Sequence, residues 1–451
     1  MTKSSVNGPR SGENRAKLLQ LSATLFATQG YAQVSVRDLA ARLGVTTGAL
    51  YSNFRSKGDL LAEVLDVRIR EDMERSQRSQ PDLQLPAFVH ESFLRLAERL
   101  EMRALLLEAG AAARTDVELR ASLRSTLTAL IGQWIEDYRA WQQFGKVDPD
   151  IDMATMVPVL WSIELGIGVL EAQGAVRVKP APLADFVGTF LQALEGQGRR
   201  ATPHAGRLST ESDLRGRQRR MSSRRTSSAP PSTVSKISSR REPHEEPTTR
   251  ERLIDAAIGL FAERGYAAVT VRDLARATGL TTGSIYGNFA NKAILLVEAI
   301  EARLAQDLER LPDALIESGS PAELIEFHLE KFGQRTRLRA LLVEGAAAAR
   351  SDPEVHDRLR EVELRHQASW VAGFERWLDA YDTSPTVDAQ TAVSAMWCAE
   401  LGLGLLEAFD LPVPAPAAMA ALFATIFSTF GVPGPRAATA RKVGGNSRTS
   451  S

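Results

Sequence analysis

The sequence predicts an all-α protein made of two copies of one helical unit. Three observations carry that prediction. Apolar residues recur at helical spacing through both halves of the 451-residue chain, where a strand would alternate every second residue. Prolines at Pro81, Pro86, Pro149 and Pro180 divide the first half into helix-length segments with few strand signals between them. And the chain repeats itself: Leu25-Phe-Ala-Thr-Gln-Gly-Tyr-Ala-Gln-Val-Ser-Val-Arg-Asp-Leu-Ala40 returns as Leu260-Phe-Ala-Glu-Arg-Gly-Tyr-Ala-Ala-Val-Thr-Val-Arg-Asp-Leu-Ala275. Each copy runs to nearly two hundred residues, too long for a solenoid repeat, so a whole protein has been duplicated.

The elements of the first copy follow in order. Leu18, Leu19, Leu21, Ala23, Leu25 and Phe26 mark a first helix that stops at Gly30. Ser35 is an N-cap for a second helix, Val36–Leu43, ended by Gly44; Asp38 near its start and Arg42 near its end suit the helix dipole. Thr46 or Thr47 caps a third helix reaching about Phe54, and Ser56 a fourth beginning at Lys57. Thr270, Gly279, Thr281 and Asn291 repeat this punctuation in the second copy. Two short helices joined by a glycine-containing turn describe a helix-turn-helix, whose second helix can enter a DNA major groove. Its exposed face would hold Thr47, Ala49, Tyr51 and Asn53, with Leu50 and Phe54 turned to the core. Gly48 is costly inside a helix, which hints at close approach by another backbone.

Val36-Arg-Asp-Leu-Ala … Gly44-Val-Thr-Thr-Gly-Ala-Leu-Tyr-Ser-Asn-Phe-Arg-Ser-Lys57 resembles the DNA-binding domain of TetR/AcrR-type transcriptional repressors, and the second copy resembles it equally. The resemblance is specific over about sixty residues of each copy. It implies an N-terminal three-helix reader followed by a helical ligand-binding and dimerisation domain, with effector binding releasing DNA by shifting the heads. Domains are therefore expected at 12–72 and 73–196, then a linker at 197–247, then 248–307, 308–433 and a tail at 434–451. By the same resemblance Thr46, Tyr51 and Lys57, with Thr281, Tyr286 and Lys292, match positions that touch phosphates. Arg37, Thr47, Gly48, Ala49 and Asn53, with Arg272, Thr282, Gly283, Ser284 and Asn288, match positions facing bases or backbone. The family often has His or Tyr where Asn53 and Asn288 stand; Asn can pair with adenine, and a phosphate contact fits equally.

Beyond the readers, Trp161–Ala172 is apolar with Gly166 and Gly168, which would let a partner helix approach closely. Glu164 and Glu171 share a helix face, as do Glu400 and Glu407. Ion pairing or solvation explains such carboxylates more economically than a cationic effector does. Trp134, Trp161 and Glu164, with Trp370, Trp397 and Glu400, are the effector-binding candidates, and Trp141 and Phe190 could join them; at helical spacing aromatics are more often core.

Charge is segregated although 55 Lys and Arg balance 55 Asp and Glu. The reader segments and the linker are net positive and the two larger domains net negative, as expected when one end of each unit meets a polyanion. The Ser-, Arg- and Pro-rich linker has too few apolar residues to offset its ordering entropy and is expected to be disordered, as is the tail. About fifty such residues reach roughly 35–45 Å, enough to join one unit to the next.

One cysteine, Cys398, excludes an intrachain disulfide and a thiolate metal site. The histidines are scattered without metal-ligand spacing, and neither a nucleophile-base set nor a glycine-rich phosphate loop is present. No enzyme, metal or cofactor is expected. No signal peptide is read at the N-terminus, and no run of eighteen apolar residues suggests a membrane span. The expected protein is a cytoplasmic repressor on an inverted-repeat operator, its two copies pairing within one chain, with a homodimer as second choice. The competing expectation is a helical effector-binding or scaffolding protein with one or both reading heads inactive.

Overall fold

A computed structural model describes residues 9–79, 85–145, 149, 151–201, 247–308, 333–380, 387–414 and 419, and among them the chain is helical without strands. The first copy comprises α1 (Pro9–Gln29), α2 (Val36–Leu43), α3 (Thr47–Tyr51), α4 (Lys57–Ser79), α5 (Leu85–Leu94), a short 3₁₀ turn (Leu96–Arg99), α6 (Leu100–Ala113), α7 (Val117–Gln143), α8 (Met153–Ala172) and α9 (Pro180–Ala201). The second comprises α10 (Thr249–Arg264), α11 (Val271–Thr278), α12 (Thr282–Asn288), α13 (Lys292–Leu308), α14 (Thr336–Ala349), α15 (Pro353–Ala380) and α16 (Ala389–Ala408). The expected linker falls mostly outside the described residues, and the expected tail wholly so.

Several of the expected domain edges lie inside helices. The edge at 72 falls within α4, which runs on to Ser79, and the edge at 196 within α9, which runs to Ala201. A continuous α4 joins reader to larger domain without a hinge loop. Leu61 and Leu65 bury one stripe of it, and Arg15 on α1 grips Glu63 through two hydrogen bonds of 2.9 and 2.6 Å.

The reader helices form as their caps dictate. Ser35 accepts from the Asp38 amide (3.1 Å) while Asp38 accepts from the Ser35 amide (3.2 Å), a reciprocal capping box. Gly44 closes α2 at φ 66° and Gly279 closes α11 at φ 69°, left-handed conformations that side chains resist. Thr46 and Thr281 accept from the amides of Ala49 and Ser284 at 3.1 Å each, fixing where α3 and α12 begin. Leu50 and Phe54 are buried beneath α3, as are Ile285 and Phe289 beneath α12.

The two copies meet along α8 and α16. A Cβ on Gly166 would lie 1.8 Å from the Cys398 carbonyl oxygen, and one on Gly402 would lie 1.8 Å from that of Ser162. Only glycine permits backbones this close. Gly168 and Gly404 serve a different contact, admitting the Cβ atoms of Arg103 and Arg339 from α6 and α14 of their own copies. α8 has the length and mean hydropathy (1.7) of a membrane span, yet it is buried on nearly every side within the protein.

Candidate nucleic-acid interface and effector cavity

Each reader presents one polar, open surface. Thr46, Thr47, Gly48, Ala49, Tyr51 and Asn53 are all exposed, and so are their second-copy equivalents except half-buried Ser284. Tyr51 is 55% exposed and Tyr286 58%, so neither ring packs the domain; each offers a hydroxyl to whatever binds. A Cβ on Gly48 or Gly283 would touch only its own cap threonine, at 3.8 and 3.7 Å, so the protein itself does not require glycine there. Asn53 and Asn288 fold back, each donating through Nδ2 at 2.8 Å to the carbonyl four residues earlier. Arg37 and Arg272 project from α2 and α11 into solvent.

Lys57 and Lys292, expected at phosphates, have partners within their own heads. Lys57 Nζ donates to the carbonyls of Tyr31 (2.7 Å) and Val34 (3.1 Å) and lies 4.0 Å from the Tyr31 ring centroid. Lys292 repeats this with Tyr266 and Val269. Burial lowers both ammonium pKa values, and Glu108 or Glu344 opposes the shift. Each lysine therefore holds the turn leading into α2 or α11. The exposed cation at this end of the first head is Arg55, held 3.1 Å from Asp59; Ala290 replaces it in the second.

Behind each turn a buried carboxylate ties the reader to the opposite copy. Glu108 accepts the Tyr31 amide (2.8 Å) and the guanidinium of Arg350 (2.8 Å), and Arg350 also donates to the Ala27 carbonyl. Reciprocally, Glu344 accepts the Tyr266 amide (2.8 Å) and Arg114 (2.8 Å), which reaches the Ala262 carbonyl. Burial pushes both carboxyls up and the arginines pull part of the way back. Sequence reading missed this crossed pair of latches. Its trace was there, since both Glu and Arg recur at the same offset.

In the larger domains the paired glutamates are ion-paired. Arg99 donates to Glu164 at 2.5 Å, and Arg103 grips Glu171 at 2.8 and 2.5 Å. Arg339 binds both Glu400 (2.7 Å) and Glu407 (2.9 Å). Ion pairing, the more economical reading of Glu164 with Glu171 and of Glu400 with Glu407, is the arrangement these carboxylates adopt. Trp134, Trp161 and Glu164 do share the wall of one cavity in the first copy, alongside Asp72, Tyr138 and Trp141. Trp370, Trp397 and Glu400 have different neighbours: the Trp397 indole donates to buried Glu363 (3.1 Å) and the Trp370 indole to His366 (3.0 Å). Burial pushes Glu363 up to about 7 and His366 down to about 3. Among the described residues no cluster of metal-ligating side chains occurs.

Residues 18–64 and 253–299 each match the bacterial regulatory proteins of the tetR family. The HTH-type transcriptional repressor KstR2 of Mycolicibacterium smegmatis is 47% identical over 51 residues, 11% of this chain and 25% of that protein. An uncharacterised HTH-type transcriptional regulator of Mycobacterium bovis is 32% identical over 123 residues, 26% of this chain and 62% of that protein. The chain thus spans between a quarter and three-fifths of the length of these curated relatives. Among solved structures, Salmonella enterica GusR is 23% identical with a TM-score of 0.32, the match covering 40% of this chain and 95% of that one.

Proposed function

The chain belongs to the tetR family of bacterial regulatory proteins, carrying its DNA-binding domain twice, and from that premise we propose that it is a sequence-specific transcriptional repressor acting in the cytoplasm. One chain supplies both reading heads to an inverted-repeat operator, as an intramolecular pseudodimer, and a small-molecule effector releases it. The observation that carries the reading is the pair of matching open surfaces on α3 and α12.

In this reading Thr46, Tyr51, Thr281 and Tyr286 position the heads on phosphates, and such contacts supply affinity without sequence information. Arg37, Thr47, Ala49 and Asn53, with Arg272, Thr282, Ser284 and Asn288, meet base edges. Gly48 and Gly283 admit the DNA backbone where a side chain would hold it off. Lys57 and Lys292 act one step back, by setting the turn that orients each head. The glycine-mediated contact of α8 with α16 supports pairing of the copies within the chain. The crossed Arg350–Glu108 and Arg114–Glu344 latches support effector release: a shift of α6 or α14 moves the other copy's head as well as its own.

DNase footprinting of DNA flanking the protein's own gene tests the proposal. Two similar protected half-sites in inverted orientation are expected. If DNA is left unprotected at micromolar protein and low salt, repression at that site is refuted.

A further inference from the structure

Resting on the within-chain pairing proposed above, we propose that the contact between the copies is selective: the face of each copy fits the opposite copy and rejects a second face of its own kind.

The α8–α16 crossing does not itself select, because Gly166 and Gly402 approach the opposite backbone in the same way. Selection comes from its flanks, where α16 packs on α6 and α8 packs on α14. On α6, Gly110 forms a hole. A Cβ there would overlap Leu405 Cδ2 and lie 3.5 Å from Phe409 Cζ. Leu405 is 1% exposed and Phe409 fully buried, so neither has open space to turn into. At the equivalent places the first copy carries Val169 and Gln173, and the second carries Ala346. All three are fully buried as well. Large knobs are thus matched to glycine on one flank, and smaller ones to alanine on the other.

Self-pairing breaks both matches. Two second copies would set Leu405 and Phe409 against Ala346, whose methyl takes the space that Gly110 leaves open. Two first copies would set Val169 and Gln173 against Gly110, leaving a void beside a buried amide. Overpacking and cavities each cost stability, and shape then excludes the wrong partner.

The turn after each helix repeats the choice. Gly174 (φ 62°) has no side chain, and a Cβ there would lie 2.8 Å from the His356 ring and 3.2 Å from Arg360 Cδ on α15. Asp410 holds the same place and backbone (φ 57°) in the second copy, and pairs with Arg124 of α7 at 2.6 Å. Two second copies would press the Asp410 Cβ onto His356, and an ion pair with Arg360 at that exposed edge would offset little. Gln367 donates to the buried Ala175 carbonyl at 3.1 Å. Ile131, its equivalent on α7, has no donor, so two first copies would leave that carbonyl bare.

The test exchanges the matched residues within the full chain. A knob swap combines Val169→Leu, Gln173→Phe, Leu405→Val and Phe409→Gln. A hole swap combines Gly110→Ala with Ala346→Gly. Either swap alone mismatches the two copies and matches each to its own kind; together they restore the fit. Each alone should melt roughly 4–8 °C below the parent, and the six-site variant should return to within about 2 °C of it. The better helix propensity of alanine cancels, since each swap keeps one glycine and one alanine. At roughly 0.1 mM, chains compete with a tether worth roughly millimolar concentration. There light scattering should find species near twice 49.2 kDa for either swap alone, and near 49.2 kDa for the parent and the six-site variant. Unchanged Tm in the single swaps, losses that simply add in the six-site variant, or swaps that remain single chains would each overturn the proposal. If a swap alone does not fold, recovery of folding in the six-site variant supports selection and its failure refutes it. A parent already near twice 49.2 kDa would refute pairing within the chain; the Tm comparison would still decide selection, because the opposite copy could then come from a second chain.

Discussion

Lys57 is held within its own reading head. It begins α4 where a phosphate contact was expected, yet its ammonium serves the Tyr31 and Val34 carbonyls. Lys57→Ala with Lys292→Ala should therefore lower operator affinity by loosening both heads. The slope of log K against log salt should change by less than about one unit for each lysine. A full unit for each, measured by anisotropy over a salt series, would return the ammonium groups to the phosphates. Tyr51 and Asn53 illustrate the converse. Their exposure followed from spacing on a short helix, because Leu50 and Phe54 claim the opposite face.

Elements were legible where local chemistry decides them. The N-caps Ser35, Thr46 and Ser56 and the stop at Gly44 were readable because each acts within four residues of itself. The α8–α16 crossing was readable only in part, as small residues awaiting an unnamed partner. The latches were illegible because their members lie up to 242 residues apart in the chain, and the cavity was legible only through Trp134, Trp161 and Glu164, without its other walls. Two predictions belong here. Gly166→Ala places a methyl on the Cys398 carbonyl and should destabilise the chain by about 3 kcal/mol. Gly132→Ala on α7 meets nothing within 4 Å and should stabilise it by roughly 0.5–1 kcal/mol. Urea unfolding compares them, and equal effects would deny the close crossing. On α15, Glu363 has a carboxyl pushed up to about 7 by burial, against about 4.3 unfolded. The folded chain holds that proton more tightly, so its contribution is full at low pH and is lost as pH rises through 7. Glu363→Gln keeps an acceptor for Trp397 and should melt roughly 2–4 °C above the parent at pH 8. The two curves should converge below pH 5; a constant gap at all pH values would count against the buried ionisation.

For the whole molecule, the proposed pairing within the chain would make operator binding independent of self-association, because a tether of about fifty residues gives roughly millimolar effective concentration. The solution mass should stay near 49.2 kDa down to nanomolar protein by mass photometry. A mass near twice that would favour a homodimer with four heads. The crossed latches have a further consequence, for inheritance. In a homodimer every substitution arrives twice and must suit both sides of a symmetric contact. Here each side is encoded separately, so a change can be tested on one half while the other keeps working. Cys398 where Ser162 stands, Ser284 where Ala49 stands, and Glu363 where Leu127 stands are such one-sided changes. Under the proposed pairing, operator half-sites and effector chemistry are free to diverge within one gene, a route closed to a protein that pairs only with its own copies.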